Sequence, residues 1–357
     1  MKLSITVITS LFVLYAGNSM ATMKVCHPKL WPFTSPIVNT SAAIPQNTLI
    51  ELRQWAKKLV KQPSSPIEVL GSSGTIDIKN NKLIASRKAF QDADRAAVLA
   101  ITYRLTHNED YFNKIREILT SWARINQPTG NPIDETRLDG MVWAYDLISC
   151  DLSEEDKTQI VNWFERLRSK KKAWNFGKTT SSNNHRIHQL KMLLLLDRVL
   201  DHYEDWQSDL KTAKKYSKIN LNPESGISVD YRERSALYYH NYVTQAWLEI
   251  ALISACCWQP INHAFSFLSN KILSHDTGNE FSNSQAPIDA LRANNGFAYA
   301  RKGGTFDITR AAPTIVIYYT LNKTIPEPKL WFIQAHTKPS PKMIFLKARR
   351  MLWWSKL

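Results

Sequence analysis

Two stretches of the chain concentrate side chains suited to holding anions and moving protons. The first, Thr179-Thr180-Ser181-Ser182-Asn183-Asn184-His185-Arg186-Ile187-His188-Gln189, directly precedes the apolar run Leu190 to Leu200. A polar cluster in that place sits at a helix N-terminus, where free backbone N–H groups and the helix dipole favour negative charge. Plain N-capping by Ser182 or Asn183, with solvated histidines, accounts for the same residues. A metal held by His185 and His188 is the weaker reading, because no carboxylates stand nearby in a zinc-type arrangement. The second stretch is Asp230-Tyr231-Arg232-Glu233-Arg234-Ser235-Ala236-Leu237-Tyr238-Tyr239-His240-Asn241-Tyr242. As one helix it sets Arg232 and Tyr239 two turns apart on a single face, so a guanidinium and a phenol share one surface. Tyr238 and Tyr242, four apart, read as a packing pair on the core side.

Together the stretches supply Asn, His, Arg and Tyr but no prominent pair of acids. A glycosidase needs two carboxyl groups flanking the scissile bond. A uronate lyase needs groups that neutralise the C5 carboxylate, a base for the C5 proton and an acid for the leaving oxygen at C4. Asn, His and Arg can neutralise the carboxylate, and a tyrosine among cations can shuttle the proton.

The elements that must position these residues read as helices. Apolar residues recur at helical spacing over Leu49 to Lys61, Asp92 to Thr106, Tyr111 to Ile125 and 135–149. Ser153 and the acids behind it cap a helix through Leu167. Further helices are expected at 183–203, 206–217, 233–258 and 260–273. Gly71 to Ile84 is a break with a small hairpin over Thr75 to Ile78, and 300–320 has β-like character, although Ala311 to Thr320 also suits a helix. No fixed repeat period occurs, so an all-α domain of packed helical hairpins, curved or closed into a ring, is favoured over a regular solenoid.

The 357 residues carry 46 Lys+Arg against 31 Asp+Glu, a net charge of +15, which points to a polyanionic partner. With 44% hydrophobic residues, 11 Gly and 16 Pro, the chain is neither disordered nor collagenous. Lys2, the apolar stretch Leu3 to Ala16 and Ser19-Met20-Ala21 read as a secretory signal cleaved after Ala21; the apolar core is shorter than the roughly 20 residues that span a bilayer. Residues 22–48 form a Pro-, Ser- and Thr-rich arm, 49–325 the helical domain and 326–357 a basic aromatic C-terminal segment. Of the four cysteines, Cys26 is placed to tie the arm to the body, Cys256 and Cys257 read as buried thiols, and the pairing is open.

On these motifs the chain resembles the periplasmic alginate lyase family. Asn183-Asn184-His185 is similar to the family's Asn-Asn-His, and Arg232 to Tyr242 to its Arg-x-x-Arg-Ala-Leu-x-Tyr-His-Asn-Tyr segment. Weaker likeness runs from about 90 to 310, through Thr106 to Tyr111, Trp122-Ala123, Ala144 to Leu147 and Gly303-Gly304. The resemblance implies an incomplete (α/α) toroid, a periplasmic or secreted location and β-elimination on an acidic polysaccharide such as alginate, with no cofactor or metal. Asn184, His185, Arg232 and Tyr239 fall on the family's catalytic positions, with Tyr239 or His185 as the base. Asn183, His188, Trp174, Arg234, His240 and Tyr242 are expected around the substrate. Two departures stand out: Arg186-Ile187-His188 replaces a small residue and aromatics, and Ser235 replaces an arginine, which makes Arg234 a rival for the role of Arg232, with Arg232 favoured by its seven-residue spacing from Tyr239.

The rival to the enzyme reading is a non-catalytic protein that binds an acidic polysaccharide on the same scaffold. No helix-turn-helix, RNA-recognition or zinc-finger pattern supports nucleic acid. The C-terminal cations around Trp353-Trp354 suit a helix packed by its aromatic face better than one lying in a membrane interface. A monomer is expected.

Overall fold

The computed structural model describes residues 28–31, 44–324 and 327–354. The expected secretory signal, most of the N-terminal arm and Cys26 therefore lie outside the described residues. Fifteen α-helices are described: α1 (Gln46–Leu59), α2 (Asn81–Ala89), α3 (Gln91–Thr106), α4 (Glu109–Ile125), α5 (Asp139–Ile148), α6 (Glu154–Lys172), α7 (Asn184–Val199), α8 (Tyr203–Asn220), α9 (Val229–Arg234), α10 (Leu237–Ser254), α11 (Trp258–Leu273), α12 (Pro287–Asn294), α13 (Ala312–Asn322), α14 (Pro328–His336) and α15 (Pro341–Trp354). Among the described residues the only β-type pairings are two isolated bridges, Leu221 with Ser228 and Glu280 with Gly304. The expected hairpin at Thr75 to Ile78 is instead an irregular segment, and Asn80 caps the unforeseen α2 by accepting from the N–H groups of Lys82 and Leu83.

Helix packing builds a toroid. α3 packs on α5, α5 on α7, α7 on α10, α10 on α13, α13 on α15 and α15 back on α3. Each inner helix is backed by an outer one: α4 on α3 and α5, α6 on α7, α8 on α7, α11 on α10, α14 on α13, and α1 across α3 and α15. The inner helices are covered on all sides, which explains why α13 reads ambiguously in sequence. Ala312, Thr314 to Thr320 are all buried, so no polar face marks its period. Outer helices keep a wet face, and α4 shows it clearly, with Ile115, Ile118, Leu119 and Trp122 inward.

The segment after residue 325, set apart in the sequence reading, supplies α14 and the inner helix α15. Met343, Ile344, Phe345, Leu346, Leu352 and Trp353 are buried there, so its aromatic face belongs to the core. From the arm, Trp31 packs edge-on against Trp143 of α5 at 5.7 Å, while the N–H groups of Lys29 and Leu30 donate to Asp146. Cys256 and Cys257, read as thiols in sequence, form a disulfide between neighbours. They are adjacent in the turn that joins α10 to α11, where Ala255 and Cys257 both have positive φ.

Candidate active site

A cavity of ≈ 990 Å³ opens where the N-termini of α7 and α10 meet α9, α12 and the Ser72–Thr75 segment. Asn183 caps α7, its Oδ1 accepting from the N–H of His185 at 3.0 Å. Asn184 opens the helix. Its backbone N–H and its Nδ2 both donate to Asp230 Oδ1, at 3.1 and 2.5 Å, which fixes the side-chain amide. Asp230 is buried, and burial pushes its carboxyl up to about 6 against the opposing pull of the Asn184 hydrogen bonds. One turn of backbone thus presents Asn183, Asn184 and His185 to the cavity.

His185 is held neutral at ordinary pH. Burial, followed by the positive charges of Arg234 and Arg292, pushes its imidazole down to about 4. Such a ring offers a hydrogen-bond donor and a free acceptor nitrogen, but no charge.

Tyr239 lies in the first turn of α10 with 8% of its surface exposed. Arg292 Nη1 donates to its phenol oxygen at 2.9 Å. The Arg234 guanidinium lies 4.4 Å from the centre of its ring, within cation–π range. Arg234 is itself held by Asp289, Nε to Oδ2 3.4 Å. Under the same turn, the N–H groups of Leu237 and Tyr238 donate to Glu280 at 2.6 and 3.0 Å, placing a carboxyl at the positive end of α10. Burial nevertheless pushes Glu280 up to about 7.

The structure brings together Asn183, Asn184, His185, Arg234, Tyr239 and Tyr242. Arg232 is not among them. The expected continuous helix breaks at Ser235, whose φ of 53° and ψ of 39° close α9 in the left-handed region before α10 begins. The seven-residue phase between Arg232 and Tyr239 is therefore lost. Arg232 is exposed, and Arg234, the last residue of α9, turns to the cavity instead.

His240 is fully buried beneath the site, sharing hydrogen bonds with Ser228 Oγ at 2.9 Å and the Ala264 carbonyl at 3.0 Å. It holds backbone and cannot touch a ligand. His188 is also buried, paired with Thr136 Oγ1 at 2.8 Å and packed in a tilted contact against Tyr242 with centroids 4.0 Å apart. Trp174, half-buried beyond the end of α6, does not line the cavity. Tyr238 and Tyr242 do line it rather than forming a core pair, and Tyr238 stacks on Tyr299 at 4.2 Å.

Sequence reasoning missed Arg87, Arg137, Arg292, Tyr299 and the Ser72–Thr75 segment, all on the cavity wall. None stands in a motif. They reach the site through long-range contacts: Asp134 Oδ1 accepts from the N–H groups of Ser72 and Ser73, and Arg292 Nε donates to the Thr75 carbonyl. Four arginines and one acid, Glu233, line the space, so its field is positive.

A helical toroid whose cationic cavity gathers asparagine, histidine, arginine and tyrosine defines a polysaccharide lyase. The sequence model of the family described as alginate lyase matches residues 51–255, more than half of the chain, and the protein belongs to that family. Among solved structures, an alginate lyase from Bacteroides ovatus is similar at 14% identity and a TM-score of 0.61, with 91% of this chain and 99% of that one covered. Alginate lyase A1-III from Sphingomonas species A1 is similar at 14% identity and a TM-score of 0.57, covering 91% and 97%. A His-to-Ala variant of alginate lyase A1-III complexed with a tetrasaccharide is similar at 12% identity and a TM-score of 0.57, covering 86% and 96%. No curated protein matches the chain.

Proposed function

We propose that this lyase cleaves a polyuronate such as alginate by β-elimination, leaving an unsaturated terminal sugar. The observation that carries the reading is that Asn184, His185, Arg234 and Tyr239 line one arginine-lined cavity, with the Arg234 guanidinium over the Tyr239 ring. Asn184, fixed by Asp230, and Arg234 hold the C5 carboxylate and spread the charge that builds there as the C5 proton leaves. Tyr239 takes that proton and, for syn elimination, returns one to the bridging oxygen as the C4–O bond breaks and the C4–C5 double bond forms. His185, neutral and with an acceptor nitrogen, is the base for the epimeric uronate. The N-terminal sequence features support a periplasmic or extracellular location for this work.

The test follows absorbance of the new double bond over a panel of polyuronates. Wild-type protein gives a signal on at least one polymer; silence across the panel sinks the proposal. On the active polymer, Tyr239→Phe loses roughly 10²–10⁴-fold in kcat, the scale of a removed acid–base group. Arg234→Ala loses about 10²-fold in kcat/KM, whereas Arg232→Ala stays within about threefold, as suits a solvated charge. The reverse order for the two arginines restores Arg232 to the role the sequence assigned it.

A further inference from the structure

α12 does for the site what no motif announces. A second apolar cluster, separate from the toroid core, collects Leu83, Ala236, Tyr239, Phe281, Phe297 and Ala300, so Tyr239 is packed by the 280–300 segment and α2 as well as by its own helix. α12 sits in that segment and contributes two side chains to the neighbourhood of one phenol. Asp289 holds Arg234 against the face of the ring, and Arg292 donates directly to the oxygen. Tyr299 also neighbours that oxygen: burial and then Tyr239 push its phenol well above the ordinary value, and it shares a hydrogen bond with Tyr239.

Arg292 is also fixed from behind. Its Nε donates to the Thr75 carbonyl at 3.0 Å, and the Ile78 N–H reaches the Asn295 carbonyl at 3.4 Å, so the Ser72–Thr75 segment and α12 meet next to Tyr239. A guanidinium presents its N–H donors in a rigid fork. Here one arm is spent on backbone, which leaves the other aimed at the phenol without a choice of rotamer. Any substrate carboxylate in the cavity finds Arg87, Arg137 and Arg234 already present, so Arg292 is not needed to attract charge.

We propose that Arg292 is a further catalytic residue: its Nη1 stabilises the negative charge on the Tyr239 oxygen while that oxygen is without its proton. The assignment rests on the reading of Tyr239 as the proton shuttle. As the C5–H bond breaks, the proton passes to the Tyr239 oxygen, whose negative charge before that transfer faces Arg292 Nη1. When the C4–O bond breaks, the same proton passes on to the bridging oxygen and the anion returns to Arg292. The contribution is made to proton transfer and not to substrate capture, and it therefore belongs in kcat.

The experiment uses the full-length protein and the polyuronate on which the wild type is active. Arg292→Ala is expected to lose about 10²-fold in kcat, the scale of a removed donor at a developing charge, with KM within about threefold. Guanidinium chloride at tens of millimolar restores at least about tenfold of that activity, where equal sodium chloride does not; such rescue is not a property of a residue that only supports the fold. If Arg292→Ala melts early by circular dichroism, Arg292→Gln, which keeps a donor for the Thr75 carbonyl, carries the same measurement. A loss confined to KM, an unchanged kcat, or no rescue in the folded variant overturns the assignment while leaving the lyase reading intact. A wild type silent on every polyuronate is the separate failure of the lyase reading and takes this assignment with it.

Discussion

Asn184 illustrates how much of this chemistry depends on a partner the substrate never meets. An asparagine can present oxygen or N–H to a ligand, and a carboxylate in the cavity needs the N–H. Asp230 fixes the amide by accepting from Asn184 Nδ2, which leaves the second N–H of that amide for a ligand, and Asn220 supports the same carboxyl from 3.4 Å while its own oxygen accepts from Trp247. The arrangement is pH-sensitive. Burial raises Asp230 to about 6, so as pH falls through that value the carboxylate takes up a proton and binds the asparagine less firmly. His185, pushed down to about 4, is still neutral there. The expected pH profile of kcat/KM therefore declines on the acid side with a midpoint near 6, and Asp230→Asn removes that limb, giving a flatter and lower profile. An acid limb that persists unchanged in Asp230→Asn contradicts this account.

Among the elements, the break between α9 and α10 decides which arginine reaches the site. Ser235 occupies the left-handed region, where glycine is at ease and β-branched residues are strained. Ser235→Gly is expected to keep both stability and kcat, although it gives up the bond from Asn283. Ser235→Val is expected to lower stability by about 1–2 kcal/mol and to reduce kcat, since the strain is relieved only by turning Arg234 away from Tyr239. Equal melting temperatures and rates for the two variants would show that the turn does not set the arginine. The same break shows where reading the sequence stopped. The Asn183-Asn184-His185 cap was legible because a helix start is a local signal, polar residues before an apolar run. Helical phase favours Arg232 over Arg234 only if it runs on through Ser235, and a serine carries no mark of a positive φ. α12 and the Ser72–Thr75 segment were invisible for a different reason. Asp289 is the one residue of α12 that is buried, so the helix has little apolar pattern to detect, and its contacts to Thr75 and Tyr239 span more than 50 residues of sequence.

For the molecule as a whole, the ring is fastened across its middle by charge. Arg349 of α15 makes two hydrogen bonds to Glu249 of α10, at 3.0 and 2.9 Å, although these helices are not neighbours in the ring. The guanidinium lies 4.8 Å from the Trp143 ring of α5, and both partners of the ion pair are almost fully buried. Nearby, Lys191 of α7 reaches Asp139 at 2.6 Å, and against the upward push of burial that lysine, with Lys342 and Arg137, holds the carboxyl at about 2. The cations of the chain thus have two destinations: arginines on the cavity wall, of which Arg137 and Arg234 also pair with Asp94 and Asp289, and cations buried with their carboxylates in the ring's interior. Only the first set faces a polyanion in the cavity. Removing one member of the inner pair leaves a buried charge without a partner, which costs about 3–5 kcal/mol, whereas replacing both with apolar side chains of similar volume is close to neutral. Glu249→Leu is accordingly expected to lower unfolding stability by that amount in urea, and adding Arg349→Met to recover most of it. If the double variant is no more stable than Glu249→Leu alone, the ring is held at this point by packing around Arg349 and not by its pairing with Glu249. Because Glu249 and Arg349 lie off the cavity wall, the double variant retains kcat within about threefold of wild type, as expected when stability and chemistry are altered at separate sites.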